Sequence, residues 1–83
     1  MSNDFFDKAA VGDALADLAE AYRLVSDVAK SSKEGSKCKK DTTIALTLME
    51  SGFKMLSHYA SPITTAAQNK IIEKAKIIPT IDN

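Results

Sequence analysis

The stretch from Asp41 to Pro62 most constrains the fold, because its apolar residues recur every three or four positions. Such spacing places apolar side chains on one face of an α-helix and predicts a helix over residues 42–60, capped by Asp41 or Thr42. The predicted buried face consists of Ala45, Leu48, Met49, Gly52, Phe53, Leu56 and Ala60. One side of this helix must therefore pack against another element.

A second periodic stretch predicts a helix over residues 4–29, capped by Ser2 or Asp4. Its main apolar stripe consists of Val11, Leu15, Leu18, Tyr22, Val25 and Ala29. A second seam of small residues, spaced seven apart, consists of Ala14, Ala21 and Val28. Small side chains at heptad spacing allow a partner helix to approach closely.

The remaining chain predicts a basic loop over residues 30–40 and a third helix over residues 62–77. Gly35 marks the break in the loop, and the pair Ser61–Pro62 is typical of a helix start. The apolar line of the third helix consists of Ile63, Ala67, Ile71, Ala75 and Ile78. The predicted fold is therefore all-α, a single domain over residues 1–83: an antiparallel helical hairpin plus a short third helix.

The chain has 83 residues, so it buries little apolar surface by itself. Proteins of this size usually need a disulfide, a metal, very good packing or oligomerisation. Cys38 is the only cysteine and His58 the only histidine, which excludes an internal disulfide and gives no metal-binding cluster. We therefore expect a compact homo-oligomer without a metal. No apolar run is long enough to span a membrane, and the acidic start is unlike a signal peptide, so we expect a cytoplasmic protein.

Charge is distributed unevenly along a chain whose net charge is zero. Residues 30–40 contain five lysines and one glutamate, directly before a predicted helix N-terminus. Lysines, free backbone N–H groups and the positive end of a helix dipole favour phosphate. The alternative is a solvated, flexible connection. A neutral chain does not favour binding to long nucleic acids, whereas a local basic patch suits a small anion.

Candidate binding residues flank this basic segment. Thr43 and Thr47 lie four residues apart and place both hydroxyls on one side of the second helix, where they could hold phosphate or base edges, or bond back to their own backbone. Phe5 and Phe6 are either oligomer anchors or platforms for base stacking. Neither His58 nor Cys38 has an acid–base partner in the sequence pattern, so we expect no enzyme and no cofactor.

The second helix resembles the hairpin domain of the anti-CBASS sponges, phage proteins that bind cyclic oligonucleotide signals and share this hairpin with some anti-Thoeris proteins. Members have a basic residue, then "ALT", then "GFMWL" or a similar segment, and close on "A-P". Here Lys40 precedes Ala45-Leu46-Thr47, Gly52-Phe53-Lys54-Met55-Leu56 replaces "GFMWL", and Ala60-Ser61-Pro62 closes the segment. In the first helix, residues 10–15 (AVGDAL) look like the family's "ALGEEL". Lysine replaces the family's arginine, and Met55 replaces its tryptophan.

This resemblance implies a homo-oligomer, typically a hexamer, that binds cyclic dinucleotides between subunits and in some members also cyclic trinucleotides. Such proteins sequester an immune messenger in the cytoplasm of the infected host cell without destroying it. The family's aromatic residue falls near Phe5 or Phe6, and its helix-one lysine falls beside Lys8. With Lys39, Lys40, Thr43 and Thr47, these residues form the predicted ligand site.

Two other functions remain open. A helical module could bind a host protein, as an inhibitor or adaptor that docks a helix in a groove. A small nucleic-acid-binding protein is the third hypothesis, which the zero net charge opposes.

Overall fold

The computed structural model describes residues 7–76, and this part of the chain forms three α-helices and no strand. The first helix, α1, spans Lys8–Ser31, the second, α2, spans Lys37–Ser57, and the third, α3, spans Pro62–Ala75. The predicted all-α class is therefore confirmed.

Helices α1 and α2 form an antiparallel hairpin, and α3 packs on α1 beside it. A Cβ atom on Gly52 would lie 3.8 Å from Leu18, while the side chain of Lys39 reaches the carbonyl of Ala29. Residue numbers thus fall along α2 as they rise along α1. By contrast, Gly12 lies beside Thr64, and Ser26 bonds to Ala75, so α3 runs parallel to α1.

The main stripe predicted for α1 is confirmed. Leu15, Tyr22 and Ala29 are buried, and Val11, Leu18 and Val25 are packed against this core. Buried residues of the other two helices complete the cluster: Leu46, Phe53, Ile72 and Ala75. Helix α1 is therefore the central element, because its stripe contacts both neighbours.

The structure corrects the start of α2. The helix begins at Lys37 instead of Thr42, so the segment between α1 and α2 is much shorter than residues 30–40. Ser36 is the N-cap, and its hydroxyl accepts the backbone N–H of Lys39 at 3.1 Å. The lysines after Ser36 favour helix formation, whereas Gly35, at φ +81°, permits the turn before it.

The other helix limits also differ from the sequence prediction. Helix α1 starts after Asp7, whose side chain accepts the N–H of Ala9 at 2.9 Å, and it extends to Ser31. Helix α2 ends at Ser57, since the N–H groups of Tyr59 and Ala60 bond carbonyls three residues back and tighten the last turn. Predicted helical residues 4–6 and 77 lie outside the described part of the chain.

Two predicted apolar faces are partly wrong. In α2, Leu48 is 68 % exposed and Leu46 is buried in its place. In α3, Ile63, Ala67 and Ile71 face away from the core, whereas Ile72 and Ala75 pack against α1. Packing against the partner helix determines which of several apolar stripes is buried. Ile78, also predicted to belong to the apolar line of α3, lies outside the described residues.

Candidate functional site

A groove of about 360 Å³ opens beside α2, where α1, α2 and the residue after α3 contribute side chains. Helix α2 presents one face of its first four turns, α1 adds a tyrosine, and a lysine follows the end of α3. The lining residues are Tyr22, Lys39, Thr43, Leu46, Thr47, Glu50 and Lys76. The predicted residues Lys39, Thr43 and Thr47 therefore share one groove.

Two interactions hold the side chain of Lys39 in place in this groove. Its ammonium group donates a 2.9 Å hydrogen bond to the carbonyl of Ala29, and it lies 3.8 Å from the carboxylate of Glu34. The Ala29 carbonyl belongs to the last turn of α1, where a cation is favoured by the helix dipole. An ammonium group has three N–H donors, so this bond to Ala29 leaves donors for an anion.

Thr43 and Thr47 both donate their hydroxyl hydrogens to backbone carbonyls one turn earlier. Thr43 donates to Lys39 at 2.8 Å, and Thr47 donates to Thr43 at 3.1 Å. Each hydroxyl oxygen still has lone pairs that can accept a hydrogen bond. These threonines therefore offer acceptors, which suit the N–H groups of a nucleobase better than the oxygens of a phosphate.

Glu50 lines the groove and contacts two of the other lining residues. Its Oε2 accepts a 2.7 Å hydrogen bond from the hydroxyl of Tyr22, and its Oε1 lies 3.5 Å from Nζ of Lys76. Lys76 also lies 3.3 Å from the carboxylate of Glu73. The groove thus contains one ammonium group, that of Lys76, beside its own carboxylate, and a second one, that of Lys39, which is bound to Ala29 instead.

Burial and the neighbouring carboxylates shift two pKa values. Burial, then the hydrogen bond to Glu50, then the charges of Glu50 and Glu73 raise the pKa of Tyr22 well above its usual range. The hydrogen bond to Glu73, then the charge of Glu50, raises the pKa of Lys76. At neutral pH the groove therefore presents a phenol hydroxyl and a protonated amine.

Lys40 lies on a neighbouring groove of about 510 Å³, at the turn between α1 and α2. Lys39 and Thr43 line both grooves, so the two are adjacent. Glu34, Gly35 and Ile44 complete the second groove. Of the lysines in the basic segment, Lys39 therefore lines both grooves and Lys40 lines only the second.

Of the remaining predicted site residues, Lys8 does not join this groove within one chain. Lys8 is the first residue of α1, about 30 Å along the helix from Ala29. Phe5 and Phe6 lie outside the described residues. A site that combined Lys8 with Lys39 would need more than one copy of the chain.

Four groove residues were not predicted as site residues: Leu46 and the polar residues Tyr22, Glu50 and Lys76. Tyr22 was assigned only to the core stripe, although a buried tyrosine hydroxyl usually has a hydrogen-bond partner. Glu50, four residues from Leu46 on α2, could have been identified as that partner by helical spacing. Nothing in the sequence indicated that Lys76 would reach them.

Other chemistry is sparse in residues 7–76. No group of three or more His, Cys, Asp or Glu side chains there could hold a metal ion. Cys38 is exposed, with its sulfur 3.1 Å from the hydroxyl of Ser32. None of the described helices is long and apolar enough to cross a membrane.

Comparison with protein-family models, curated proteins and solved structures finds no significant match for this chain.

Proposed function

We propose that this chain binds and sequesters cyclic di- or trinucleotides without chemical conversion. In this proposal it is a phage protein that acts in the cytoplasm of the infected cell and lets the phage evade CBASS immunity. The observation that carries the proposal is the groove in which Lys39, Thr43 and Thr47 lie together with Tyr22. Its volume is within the range of small-molecule sites, about 300–1,000 Å³.

The groove's chemistry supports a ligand with both phosphate and base groups. Lys39 supplies N–H donors to a phosphate, whereas Thr43, Thr47 and Glu50 offer acceptors to the N–H groups of a base. Tyr22 is only 2 % exposed and donates its hydroxyl to Glu50, so it positions that carboxylate and offers no stacking surface. The aromatic platform that a base needs would come from Phe5 or Phe6, as the family resemblance implies.

A cyclic dinucleotide has two phosphates and two bases, so a symmetric pair of grooves from two copies of the chain suits it. One groove supplies cations and acceptors for about half of such a molecule, and a symmetry-related copy supplies the rest. The proposal therefore includes a homo-oligomer, for which the family resemblance implies a hexamer. Lys8, remote from the groove in its own chain, would act from a neighbouring copy.

The experiment is thermal unfolding of the purified protein against a panel of cyclic di- and trinucleotides. A ligand at a hundredfold excess over its Kd stabilises the folded state by about 2.7 kcal/mol, which raises the Tm of a small domain by several degrees. We expect a shift with at least one cyclic nucleotide and intact ligand after heating. A panel that produces no shift contradicts the proposal.

The matched variants are Lys39→Ala and Lys33→Ala. Both remove one lysine, but only Lys39 lines the groove, whereas Lys33 is exposed in the turn before α2. We expect Lys39→Ala to weaken binding at least tenfold and Lys33→Ala to leave the Kd unchanged. Equal weakening by both would mean that the ligand responds to general positive charge.

A second candidate function is a helical module that binds a host protein as an inhibitor or adaptor. The observation that favours it is a stripe of exposed apolar residues on α2, formed by Ile44, Leu48 and Met55. Under this hypothesis no cyclic nucleotide changes the Tm. A stoichiometric complex with one host protein would instead be lost in Leu48→Glu.

A further inference from the structure

The two ends of the groove beside α2 differ in their hydrogen-bonding groups. Toward the start of α2, Lys39 supplies an ammonium group, and the hydroxyls of Thr43 and Thr47 keep only lone pairs for a ligand. Farther along α2, the carboxylate of Glu50 lies 3.5 Å from the ammonium group of Lys76. This second end of the groove therefore places a donor and an acceptor side by side.

The carboxylate of Glu50 is held in position but is not saturated. Its Oε2 accepts the hydroxyl of Tyr22 at 2.7 Å, and its Oε1 lies 3.5 Å from Nζ of Lys76. An ionised carboxylate has about four lone-pair sites, so each oxygen keeps one for a further N–H group. The side chain of Glu50 is 32 % exposed, so a ligand in the groove can reach it. Glu50 therefore offers such a ligand two neighbouring acceptors.

Lys76 supplies the donor beside this carboxylate. The hydrogen bond to Glu73, then the charge of Glu50, raises the pKa of Lys76, so its amine is protonated at neutral pH. An ammonium group has three N–H donors, and one remains for a ligand after the contacts with these two carboxylates. Lys76 and Glu50 together therefore present one donor followed by two acceptors.

Guanine has the edge that complements this order. Its Watson–Crick edge carries the acceptor O6, followed by the adjacent donors N1–H and N2–H₂. Adenine and cytosine offer a carboxylate one amino group beside a ring-nitrogen acceptor, and uracil offers one N–H group between two acceptors. Among the four bases of RNA, only guanine therefore places two N–H donors next to each other with an acceptor beside them.

We propose that this end of the groove recognises guanine: Glu50 accepts hydrogen bonds from N1–H and N2–H₂, and Lys76 donates one to O6. The inference rests on the proposed function and narrows its ligands to cyclic di- or trinucleotides that contain guanine. Glu50 and Lys76 determine the base in this proposal, whereas Lys39 supplies donors to a phosphate whatever the base.

The first test compares the binding of cyclic diguanylate and cyclic diadenylate to the purified full chain by isothermal titration calorimetry. The two ligands have the same charge and the same backbone, so only the base differs. We expect the Kd for cyclic diguanylate to be lower by at least about tenfold, because a bidentate contact is lost with adenine. Cyclic di-inosinate, which keeps O6 and N1–H but has no N2 amino group, should bind more weakly than cyclic diguanylate.

The outcomes separate this inference from the proposed function. Equal affinities, a preference for cyclic diadenylate, or equal binding of the guanine and inosine ligands overturns guanine recognition and leaves cyclic-nucleotide binding in place. Failure of every cyclic nucleotide to bind overturns both.

The second test removes the acceptor pair. Glu50→Gln keeps the length of the side chain and an oxygen for the Tyr22 hydroxyl, but replaces the other acceptor with an amino group. We expect it to raise the Kd for cyclic diguanylate by at least about tenfold, with a smaller change for cyclic diadenylate and unchanged helical circular dichroism.

Glu73→Gln is the matched control, since Glu73 also pairs with Lys76 but does not line this groove. We expect it to leave both Kd values unchanged. Equal weakening by the two variants, or a guanine preference that persists in Glu50→Gln, overturns the proposal. If Glu50→Gln does not fold, the comparison of guanine and inosine ligands on the wild-type chain still decides it.

Discussion

The hydroxyl of Tyr22 donates a 2.7 Å hydrogen bond to the carboxylate of Glu50, 28 positions later in the chain. The same carboxylate lies 3.5 Å from the ammonium group of Lys76, directly after α3. Glu50 therefore connects residues from all three helical segments. Glu50 also lines the groove, so one side chain takes part both in the contacts between the helices and in the candidate site.

We expect Tyr22→Phe to lower the free energy of unfolding by about 1–2 kcal/mol. The ring and its packing remain, but the variant loses a hydrogen bond to a charged group, whose usual contribution is about 1.5–3 kcal/mol. We expect a loss near the lower end of that range, because Glu50 still pairs with Lys76 and still contacts water in the variant. Urea unfolding at pH 7 measures the change, and an unchanged midpoint would contradict it.

Alkaline pH should reduce this difference between the wild type and Tyr22→Phe. The raised pKa of Tyr22 means that the folded state holds the phenol proton more tightly than the unfolded state, whose tyrosine pKa is about 10. The stabilisation is therefore complete below pH ~10 and declines above it, by up to ~1.4 kcal/mol per pH unit. Urea unfolding of both proteins from pH 8 to pH 11 measures the narrowing. A constant difference would mean that Tyr22 titrates alike in both states.

The core of α1 could be predicted from the sequence, because one stripe at strict 4-3 spacing dominates that helix. The buried face of α3 could not be predicted, since this helix has two apolar lines and only its packing against α1 determines which of them is buried. Ile72 and Ala75 fit there, and Ile63 does not. Sequence spacing identifies candidate faces, whereas packing selects one.

The candidate site could be predicted only in its local part. Thr43 and Thr47 lie on the predicted second helix, so their spacing brings them together whatever the tertiary structure, and Lys39 joins them because α2 begins at Lys37 instead of Thr42. Tyr22 and Lys76 reach the same groove only because α1 and the end of α3 pack beside α2. That information lies in contacts between distant parts of the chain, which a single sequence does not display.

The corrected start of α2 gives a direct prediction. We expect Ser36→Ala to lower the free energy of unfolding by about 1 kcal/mol, because the variant loses the side-chain acceptor for the N–H of Lys39. Thr42→Ala is the matched control, since the Thr42 hydroxyl bonds only to carbonyls of its own helix. Its expected change is below about 0.5 kcal/mol. A larger loss in the free energy of unfolding for Thr42→Ala than for Ser36→Ala would indicate that the helix starts near Thr42 instead.

Two glycine substitutions should change stability in opposite directions. Gly35 has φ +81°, so Gly35→Ala should cost about 1–2 kcal/mol although no atom obstructs a methyl group. Gly12 lies within α1, where a Cβ would meet Thr64 at an ordinary 3.5 Å, so Gly12→Ala should gain about 0.5–1 kcal/mol. Thermal unfolding of the two variants measures both values. A gain from Gly35→Ala would exclude the left-handed turn at that position.

Ser26 provides the last prediction, because it is fully buried and its hydroxyl donates to the carbonyl of Ala75. This carbonyl lies in the last turn of α3, where helical partners run out, so the bond fixes the end of α3 on α1. We expect Ser26→Ala to lower the free energy of unfolding by about 1–2 kcal/mol.

The stability lost in Ser26→Ala should be concentrated in α3. Amide hydrogen exchange should increase in α3 first, because its attachment to α1 weakens, while the first turns of α2 stay protected. Ser31→Ala is the control, since Ser31 is exposed and bonds only to Val28 of its own helix. Uniform exchange across all three helices in Ser26→Ala would mean that the buried hydroxyl stabilises the fold as a whole instead of holding α3 in place.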